Sequence, residues 1–324
     1  MDALSEMLRV ITLDSAVYFN AEFSEPWRLT SPEPCILAPA LAGETAHVIN
    51  YHLLSEGGAY LEVDGERVML TAGDLFAFPH GDEHVLGSGA RVTPIDTNAV
   101  LPAVLEQGLE LLRIGGGGAR ARFIFGFLVC DRQLSEAFLG GLPRMIRVNI
   151  RKDPSGEWLE NSLRFAVSEV ASRKPGAKAM LAKLSEVVFA ETLRRYVAEL
   201  PEGQTGWLAG ARDADVGRAL TLLHHRHAHP WPVAELAREA GTSRTVLAER
   251  FRHFLGEAPM AYLTRWRLRL GARALTATSH GVAQIAIEVG YESESAFNRA
   301  FKREYGLPPA RYRRDKAEQR ALTA

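Results

Sequence analysis

Cysteine is scarce in this chain of 324 residues, which contains only Cys35 and Cys130. Two cysteines so far apart in sequence argue against a disulfide scaffold and fit a reducing compartment such as the cytoplasm. The sequence also lacks any run of about 18 uncharged apolar residues, which argues against a membrane span. Its first ten residues show neither the basic start nor the apolar run of a signal peptide. We therefore expect a cytoplasmic protein without a membrane partner.

The two cysteines also raise a redox role. Cys130 lies in the apolar run FIFGFLVC, where a buried and inert thiol is the usual outcome. Cys35 lies between prolines and is expected to be the more exposed of the two. Neither cysteine belongs to a C-x-x-C motif or has a resolving partner nearby in sequence. Oxidant sensing by Cys35 and Cys130 is therefore kept only as an alternative.

The net charge of −1 hides a marked asymmetry along the chain. From Arg212 to the end there are 19 Lys and Arg residues against 12 Asp and Glu residues. Residues 1–211 contain 19 against 27, so a basic end is joined to an acidic body. This distribution favours a phosphate-binding module attached to a separate ligand or partner domain.

Hydrophobic periodicity divides the acidic body into a strand region and a helical region. Over residues 36–96 the runs HVINYHLL, AYLEV, RVML and LFAF are separated by turn signals at roughly eight-residue intervals, as in an all-β sandwich or barrel. From about Leu159 the pattern becomes helical. One helix is interrupted at Lys174-Pro175-Gly176, and a second runs from about Ala177 to Leu200. PEGQTG then begins a predicted linker.

An internal repeat in the C-terminal third is the most informative pattern in the sequence. VAELAREAG matches VAQIAIEVG with an offset of 49 residues, so Gly241 corresponds to Gly290. After one inserted residue, Phe251 corresponds to Phe301. So many matches at one spacing indicate two copies of a single structural unit.

Each copy has the features of a helix-turn-helix motif. A small residue in the first helix, Ala237 or Ala286, permits close helix packing. Gly241 or Gly290 supplies the left-handed backbone that ends this helix sharply. The stretches TSR and ESES provide the N-cap of a second helix, which ends at GEAP or GLPP. Each unit would bury its Leu and Phe stripe and expose the opposite face of its second helix.

The stretch from Trp231 to Arg313 resembles the DNA-binding domain of the AraC family, and IAIEVGYESESAFNRAFKREYGLPPARYR follows the family pattern most closely. The resemblance implies that both second helices enter successive major-groove segments on one face of DNA. Residues 258–275 would form a linking helix that sets a separation of about 34 Å, one turn of DNA. It thus implies a sequence-specific transcription regulator that binds double-stranded promoter DNA and acts with RNA polymerase.

The recognition helices have a buried face and an exposed face. Their predicted core positions are Val246, Leu247, Phe251, Phe297 and Phe301. Their predicted DNA-binding positions are Arg244, Thr245, Ala248, Glu249, Arg252, Glu294, Ser295, Asn298, Arg299 and Lys302. By resemblance, the base-reading positions among these are Thr245, Ala248, Glu249, Glu294, Ser295, Asn298 and Arg299.

Several of these side chains have distinct base partners. Arg299 can contact guanine with two hydrogen bonds, Asn298 can read adenine, and Glu249 can accept from cytosine. The arginines expected at phosphates are Arg252, Arg303, Arg311, Arg313 and Arg314. The alternative for each position is an ordinary solvated helix face.

The N-terminal region contains one nearly complete cupin motif. GDLFAFPHGDEH fits Gly-x5-Pro-x-Gly-x2-His, with Gly73, Pro79, Gly81 and His84 on its four fixed positions. The first cupin motif is degraded, because YHLLSEGGAYLEVDG offers His52 but no His-x-His. The region resembles the cupin-containing subgroup of AraC-type regulators.

The resemblance to cupins raises a metal site. Cupin enzymes use three histidines and a carboxylate, a mixed set that suits iron, manganese or zinc. The candidate ligands here are His52, Glu56, His80 and His84. A divalent metal is one interpretation, and a structural or ligand-lining role for these residues is the favoured one. The tract HHRHAH at 224–229 also looks like a metal site, but we interpret it as a helix end.

The predicted fold class is therefore α+β, a cupin-like β-barrel with C-terminal helices followed by an all-α domain. The predicted boundaries are an effector and dimerisation domain at 1–200 (barrel about 36–155, helices about 158–200), a linker at 201–217 and a DNA-binding domain at 218–324, with helix-turn-helix motifs at about 231–256 and 282–306.

Two other classes of function remain open at this point. One is a cupin oxygenase or isomerase with a DNA-binding appendage, although its ligand set is incomplete. The other is an architectural DNA binder without sequence preference, although the acidic and amide residues on the recognition helices favour base discrimination. The favoured mechanism is a non-enzymatic one, in which a small molecule or stress signal in the cupin-like pocket changes the domain or dimer arrangement. A homodimer through the helix at 177–200 is expected by analogy.

Overall fold

The chain forms two compact units, one rich in strands and one helical. The computed structural model describes residues 3–8, 13–32, 38, 46–98, 112–131, 139, 142–152, 154–172 and 174–323. The strand-rich unit comprises residues 11–135 and 143–199, and the helical unit comprises residues 1–10, 136–142 and 200–324. This confirms the predicted α+β class.

Two sheets build the strand-rich unit. Its strands are β1 Leu13–Ser24, β2 Trp27–Thr30, β3 Ala46–Glu56, β4 Gly58–Val63, β5 Glu66–Thr71, β6 Asp74–Phe78, β7 Val85–Ser88, β8 Leu112–Gly115, β9 Arg120–Asp131 and β10 Ile146–Asn149. One sheet has the order β10-β6-β3-β9-β1-β8 and the other β2-β7-β4-β5. The neighbours pair antiparallel, except that β1 and β8 run parallel.

Helices cover the outer face of the six-stranded sheet. After a 3-10 turn at Ile150–Lys152 come α2, Ser155–Ser172, and α3, Ala177–Glu199. The hydroxyl of Tyr18 lies 2.9 Å from Ser185 Oγ, and that of Tyr51 lies 2.6 Å from Thr192 Oγ1. Both α3 hydroxyls already donate to carbonyls one turn earlier, so the tyrosines donate to them. Two buried hydrogen bonds thus fix α3 on the sheet.

Aromatic side chains fill the space between the two sheets. Because side chains alternate along a strand, Phe19 and Phe23 of β1 face inwards while Tyr18 faces α3. Phe23 stacks on Trp27 with ring centroids 4.2 Å apart, and Phe123 stacks on Phe125 at 5.5 Å. This aromatic core surrounds the cavity described below.

The helical unit contains α1 and the helices after residue 206. These are α1 Ala3–Leu8, α4 Trp207–Arg212, α5 Ala214–His225, α6 Val233–Glu239, α7 Arg244–Leu255, α8 Pro259–Ala277, α9 Val282–Glu288, α10 Glu294–Tyr305 and α11 Pro309–Thr323. None of the described helices combines the length and apolar character needed to cross a membrane.

The predicted linker at 201–217 differs from the structure, which places α4 and the start of α5 within it. Trp207 is buried, and its indole N–H donates to the hydroxyl of Tyr262 in α8 at 2.9 Å. The glycines and the polar PEGQTG stretch indicate a linker, but the burial of Trp207 stabilises helical structure in this segment. Residues from 207 onward therefore belong to the folded helical unit.

Candidate DNA-binding surface and barrel cavity

Helices α6 and α7 form the first helix-turn-helix unit. Gly241 follows α6 with φ +75°, and the N–H of Thr242 donates to the carbonyl of Ala237 at 2.9 Å. Ser243 then caps α7, because its side chain accepts from the N–H of Val246 at 3.2 Å. The turn chemistry predicted from the sequence is present.

The second unit, α9 and α10, repeats these features at corresponding positions. Gly290 has φ +92°, and Ser293 accepts from the N–H of Ala296 at 3.2 Å. Gly256 and Gly306 end the two second helices in the left-handed conformation. The repeat in sequence is therefore a repeat in structure.

Four of the five predicted core positions of the recognition helices are fully buried: Leu247, Phe251, Phe297 and Phe301. Val246 is 39% exposed, so its assignment to the core was wrong. Successive helix residues point about 100° apart, and in so small a unit Val246 cannot share the buried face with Leu247. Val246 instead adds an apolar side chain to the exposed side of α7.

The predicted DNA-binding residues lie on the outer faces of α7 and α10. Ala248 and Asn298 are half-buried, and the amide nitrogen of Asn298 lies 3.5 Å from a carboxylate oxygen of Glu294. The exposed ones are Arg244, Thr245, Glu249, Arg252, Glu294, Ser295, Arg299 and Lys302. Each helix therefore presents a solvent-facing surface opposite its phenylalanines.

Four cations lie on the outer faces of α7 and α10. Arg244, Arg252, Arg299 and Lys302 form no ion pair with another residue of the described ranges. An unpaired surface cation keeps its full charge for a phosphate or a guanine. The recognition faces thus carry available positive charge.

Arg250 is a positioning residue that the sequence analysis missed. It lies in α7 and forms a hydrogen-bonded ion pair with Asp213, whose side chain also caps α5 by accepting from the N–H groups of Asp215 and Val216. This arrangement attaches the first recognition helix to the start of α5. Asp213 could have been identified as an N-cap from the sequence, but its partner 37 residues away could not.

Arg313 also differs from its predicted role at a phosphate. Its guanidinium donates to the carbonyls of Leu275 at 2.9 Å and His280 at 2.5 Å, so it attaches α11 to the end of α8. The exposed Arg311 lies 3.6 Å from the half-buried Asp315. Among the tail arginines, Arg313 thus stabilises the fold of the second unit.

Helix α8 is shared by the two helix-turn-helix units. Tyr262 and Trp266 are buried near its start, whereas Leu268, Ala272 and Leu275 belong to the core of the second unit. With 19 residues, α8 is about 28 Å long. A single rigid element therefore runs through both units.

A second contact joins the two units. Arg267 in α8 donates to the carbonyls of His227 and His229, both at 2.7 Å. Gly290 packs so closely on this loop that a Cβ added to it would lie 2.7 Å from Ala228 Cα. We call Arg267, Gly290 and residues 227–229 the inter-unit brace. It holds the turn of the second unit against the loop before the first.

The histidine tract at 224–229 is the end of a helix, as predicted. Helix α5 ends at His225, and His224 is buried with its ring stacked on Trp266 at 4.1 Å. The hydroxyl of Tyr262 accepts from Trp207 and shares a second hydrogen bond, of 2.7 Å, with Nε2 of His224. Burial lowers the pKa of His224 to about 3, which keeps its ring neutral.

The strand-rich unit contains a cavity between its two sheets. Its empty volume, including the part open to solvent, is about 530 Å³. Its polar lining consists of Ser31, His52, His84 and Thr97. Its apolar lining consists of Phe19, Phe23, Leu29, Pro32, Leu86, Leu112, Ile114, Phe125 and Phe127. Ligand cavities in proteins combine an apolar wall with a few polar groups in this way.

The structure brings His52 and His84 together in this cavity, with ring centroids 5.5 Å apart. His52 is packed against Phe125 at 4.7 Å, and His84 stacks on Phe78 at 4.0 Å. Burial lowers the pKa of His84 to about 4, and burial together with His84 holds the pKa of His52 well below its usual range. Both rings are therefore neutral at pH 7.

The other two candidate metal ligands do not join them. Glu56 forms an exposed ion pair with Arg122 at 3.0 Å, and neither it nor His80 lines the cavity. No cluster of three or more histidine, cysteine or acidic side chains suited to a metal occurs among the described residues. The residues that the structure describes therefore do not fit the cupin set of three histidines and a carboxylate.

The two cysteines have different outcomes. Cys130 is fully buried in β9, in agreement with its interpretation as a buried thiol. Cys35 lies outside the described residues. Redox sensing at Cys35 stays a prediction.

Two helix-turn-helix units that share helix α8, each with exposed cations on its second helix, define a DNA-binding class of protein. The chain belongs to the AraC-like transcription regulators. A family described as cupin matches residues 2–198, and a family described as helix-turn-helix domain matches residues 236–315. The protein is accordingly a DNA-binding transcription regulator.

Its relatives carry consistent names. A putative AraC-like transcription regulator of Streptomyces lividans is 34% identical, covering 85% of this chain and 90% of the relative. The HTH-type transcriptional regulator AlkR of Acinetobacter baylyi is 28% identical, covering 97% of this chain and 99% of the relative. The crystal structure of the DNA-binding domain of AdpA with a target DNA is 30% identical, covering 34% of this chain and 97% of that one, with a TM-score of 0.32.

Proposed function

We propose that α7 and α10 bind two successive major-groove segments on one face of a promoter. The observation that carries this proposal is the connection of the two units by α8 and by the inter-unit brace. A helix about 28 Å long suits recognition helices separated by about 34 Å, one helical turn of DNA. Selection of bound duplexes from a random pool tests it, because the bound sites should share two short motifs at one fixed spacing.

At residue level, the base contacts come from Thr245, Ala248, Glu249, Glu294, Ser295, Asn298 and Arg299. Arg244, Arg252 and Lys302 complete the surface as phosphate or base contacts. Arg299 is exposed and unpaired within the described part of the chain, so it is free to form two hydrogen bonds with a guanine. Asn298 is less accessible and lies beside Glu294.

Replacement of Arg299 by alanine tests these assignments. Arg299→Ala should reduce affinity for the selected site by about 1–3 kcal/mol and relax the preference at one base position. Arg303→Ala, the matched control on the same helix, should weaken all duplexes about equally because it removes a phosphate contact. Affinities for a set of single-base variants measure both. Uniform weakening by Arg299→Ala would show that this arginine does not read a base.

We further propose that the barrel cavity binds a small-molecule effector that alters DNA binding, and that this unit is a sensor without enzymatic activity. The predominantly apolar wall and the absence of a cupin metal set among the described residues support binding over oxygenase or isomerase chemistry. A screen of small molecules for changes in DNA affinity tests the proposal. Turnover of any bound compound would contradict it.

A homodimer through the helices of the strand-rich unit is also proposed. Helix α2 exposes Trp158 and Phe165, and α3 exposes Met180 and Val187, each pair seven residues apart and so on one helix face. Sedimentation of Phe165→Glu, compared with Met69→Glu on strand β5, tests this surface. Only the first substitution should yield monomers.

Regulators bound at promoters act on RNA polymerase, so we propose polymerase as the partner and the cytoplasm as the compartment. Transcription with purified polymerase from a selected site, with and without the protein, tests the partner.

A further inference from the structure

We infer that the barrel cavity takes an uncharged, mainly apolar molecule that carries a single hydroxyl group, with His84 as its hydrogen-bond acceptor. This inference deepens the proposed sensing function and rests on it. The polar atoms of the cavity are few, and their neighbours restrict their hydrogen-bonding capacity.

The tautomer of His84 follows from its contacts. Its Nδ1 lies 3.0 Å from the carbonyl oxygen of Asp82, which can only accept, so Nδ1 carries the proton. The distal nitrogen, Nε2, is then left with a lone pair. Ser31 also fixes the backbone of His84 with two hydrogen bonds. The N–H of His84 donates to Ser31 Oγ at 2.9 Å, and the N–H of Ser31 donates to the carbonyl of His84 at 2.7 Å. His84 is thus a rigid acceptor at the wall of the cavity.

Buried polar atoms without partners lie on the adjoining strand. Nδ1 of His52 and both amide atoms of Asn50 have no hydrogen-bond partner within the described ranges, and both residues are 1% exposed. They are two residues apart on β3 and so share its inner face, and Asn50 lies opposite Phe78, the ring on which His84 stacks. Unpartnered buried polar groups are rare in folded proteins. A hydroxyl both donates and accepts, so it suits the ring nitrogens of His52 and His84, which line the cavity, whereas Asn50 is not among the lining residues.

Charge disfavours anionic ligands in the inner cavity. The cavity wall contains no cation among the described residues, and both histidines are neutral, so a carboxylate or phosphate would enter without a counter-charge. Ser31 and His84 also line an outer polar cleft, where Arg28 is paired with Glu62 at 2.9 Å and the other charged residues are Arg91, Asp64 and Glu83. The outer cleft offers a route of entry, and the apolar inner wall holds the body of the molecule.

A series of toluene derivatives that differ in one group tests the inference on the full-length protein. The probes are para-cresol, para-methylanisole, toluene and para-toluate, with affinities measured by calorimetry. We expect para-cresol to bind about tenfold more tightly than toluene or para-methylanisole, the effect of one hydrogen bond. We expect para-toluate to bind more weakly than toluene.

The variant His84→Phe keeps a ring to stack on Phe78 and removes the acceptor. It should bind para-cresol and toluene equally while retaining the toluene affinity of the wild type, which also shows that the cavity is folded. His80→Phe, a neighbouring histidine that does not line the cavity, is the matched control and should keep the tenfold preference. Equal binding of para-cresol and para-methylanisole by the wild type, or an unchanged preference in His84→Phe, would overturn the inference.

Three further outcomes bear on this inference and on the proposed function. Stoichiometric Fe²⁺, Mn²⁺ or Zn²⁺ that is lost in His84→Phe would assign the site to a metal and overturn the inference. Selective para-cresol binding without any change in DNA affinity would uphold the ligand class and contradict the sensing role. An effect of toluene on DNA affinity equal to that of para-cresol would uphold sensing and contradict the ligand class.

Discussion

Gly241 and Gly290 occupy the same position in the two helix-turn-helix units, but their surroundings differ. Both have positive φ, where an alanine is strained. The atoms nearest to a Cβ on Gly241 would be those of the Arg218 guanidinium, at 3.3 Å and beyond, the end of a flexible side chain. A Cβ on Gly290 would lie 2.7 Å from the backbone of Ala228. The second glycine therefore has a packing role in addition to its turn role.

This difference predicts unequal costs for the same substitution. Gly241→Ala should reduce the free energy of unfolding of the helical unit by about 1–2 kcal/mol, from backbone strain alone. Gly290→Ala should cost about 1–3 kcal/mol more, because the inter-unit brace must also shift. Urea unfolding followed by tryptophan fluorescence measures both. Equal losses would show that the contact with Ala228 does not constrain the turn.

Single residues also show the limits of prediction from sequence. The turn glycines, the N-cap serines and the buried phenylalanines were predicted because local rules determine them. The environments of Val246, Arg250 and Arg313 were not predicted, since they depend on helices that pack from elsewhere in the chain. An arginine that binds two carbonyls and one that faces solvent look alike in sequence.

Among the elements, α8 and the inter-unit brace determine how the two recognition helices are spaced. Arg267 attaches α8 to residues 227–229 with two hydrogen bonds of 2.7 Å. Loss of these bonds would leave the two units joined by the helix and by the packing of Gly290 on Ala228. The spacing of the two half-sites should then be less strictly defined.

Arg267→Ala should therefore broaden the accepted spacing between the two half-site motifs while leaving the base preference within each motif unchanged. Arg265→Ala is the matched control, because Arg265 lies in the same helix but pairs with Glu257 at the surface. Affinities for duplexes with one base pair inserted or removed between the motifs measure the effect. If Arg267→Ala instead changed base preference at one motif, a bracing role would be incorrect.

The packing of α5 against α8 predicts a dependence of stability on pH. His224 is neutral in the folded protein with a pKa of about 3, whereas an unfolded histidine titrates near 6.5. Below pH 6.5 the unfolded chain takes up a proton that the folded chain does not, so stability is full above that pH and falls as the pH decreases towards 3.

His224→Gln should lessen this loss of stability between pH 6.5 and 3, measured as the difference from wild type in unfolding free energy at each pH. His225→Gln, at an exposed neighbouring position, is the matched control for loss of a histidine outside the buried contacts with Trp266 and Tyr262. Parallel profiles for wild type and His224→Gln would show that another group dominates.

The element pattern was largely readable from the sequence. The hairpin strands, the two helices before residue 200 and both helix-turn-helix motifs follow local periodicity and turn residues. The helices within 201–217 were not predicted, because their formation depends on the burial of Trp207 beside Tyr262. The cupin motifs indicated that His52 and His84 lie close together. They did not indicate that Glu56 lies apart from these histidines, in a surface ion pair with Arg122.

At the scale of the whole molecule, a basic helical unit is joined to an acidic barrel unit, as the charge distribution along the chain indicated. The organisation separates the DNA-binding unit from the unit that contains the proposed effector cavity. Nothing in the sequence alone could specify which small molecule, since the character of the cavity depends on side chains from several strands that meet only in the fold.

The central claim is that two braced recognition helices contact successive major-groove segments from one side of the duplex. Methylation interference at guanine N7 on a selected binding site tests it most directly, because N7 lies in the major groove. We predict two clusters of interfering guanines whose centres are about 10 base pairs apart on one face of the helix. A single cluster, or no interference on any selected duplex at moderate salt, would contradict the claim.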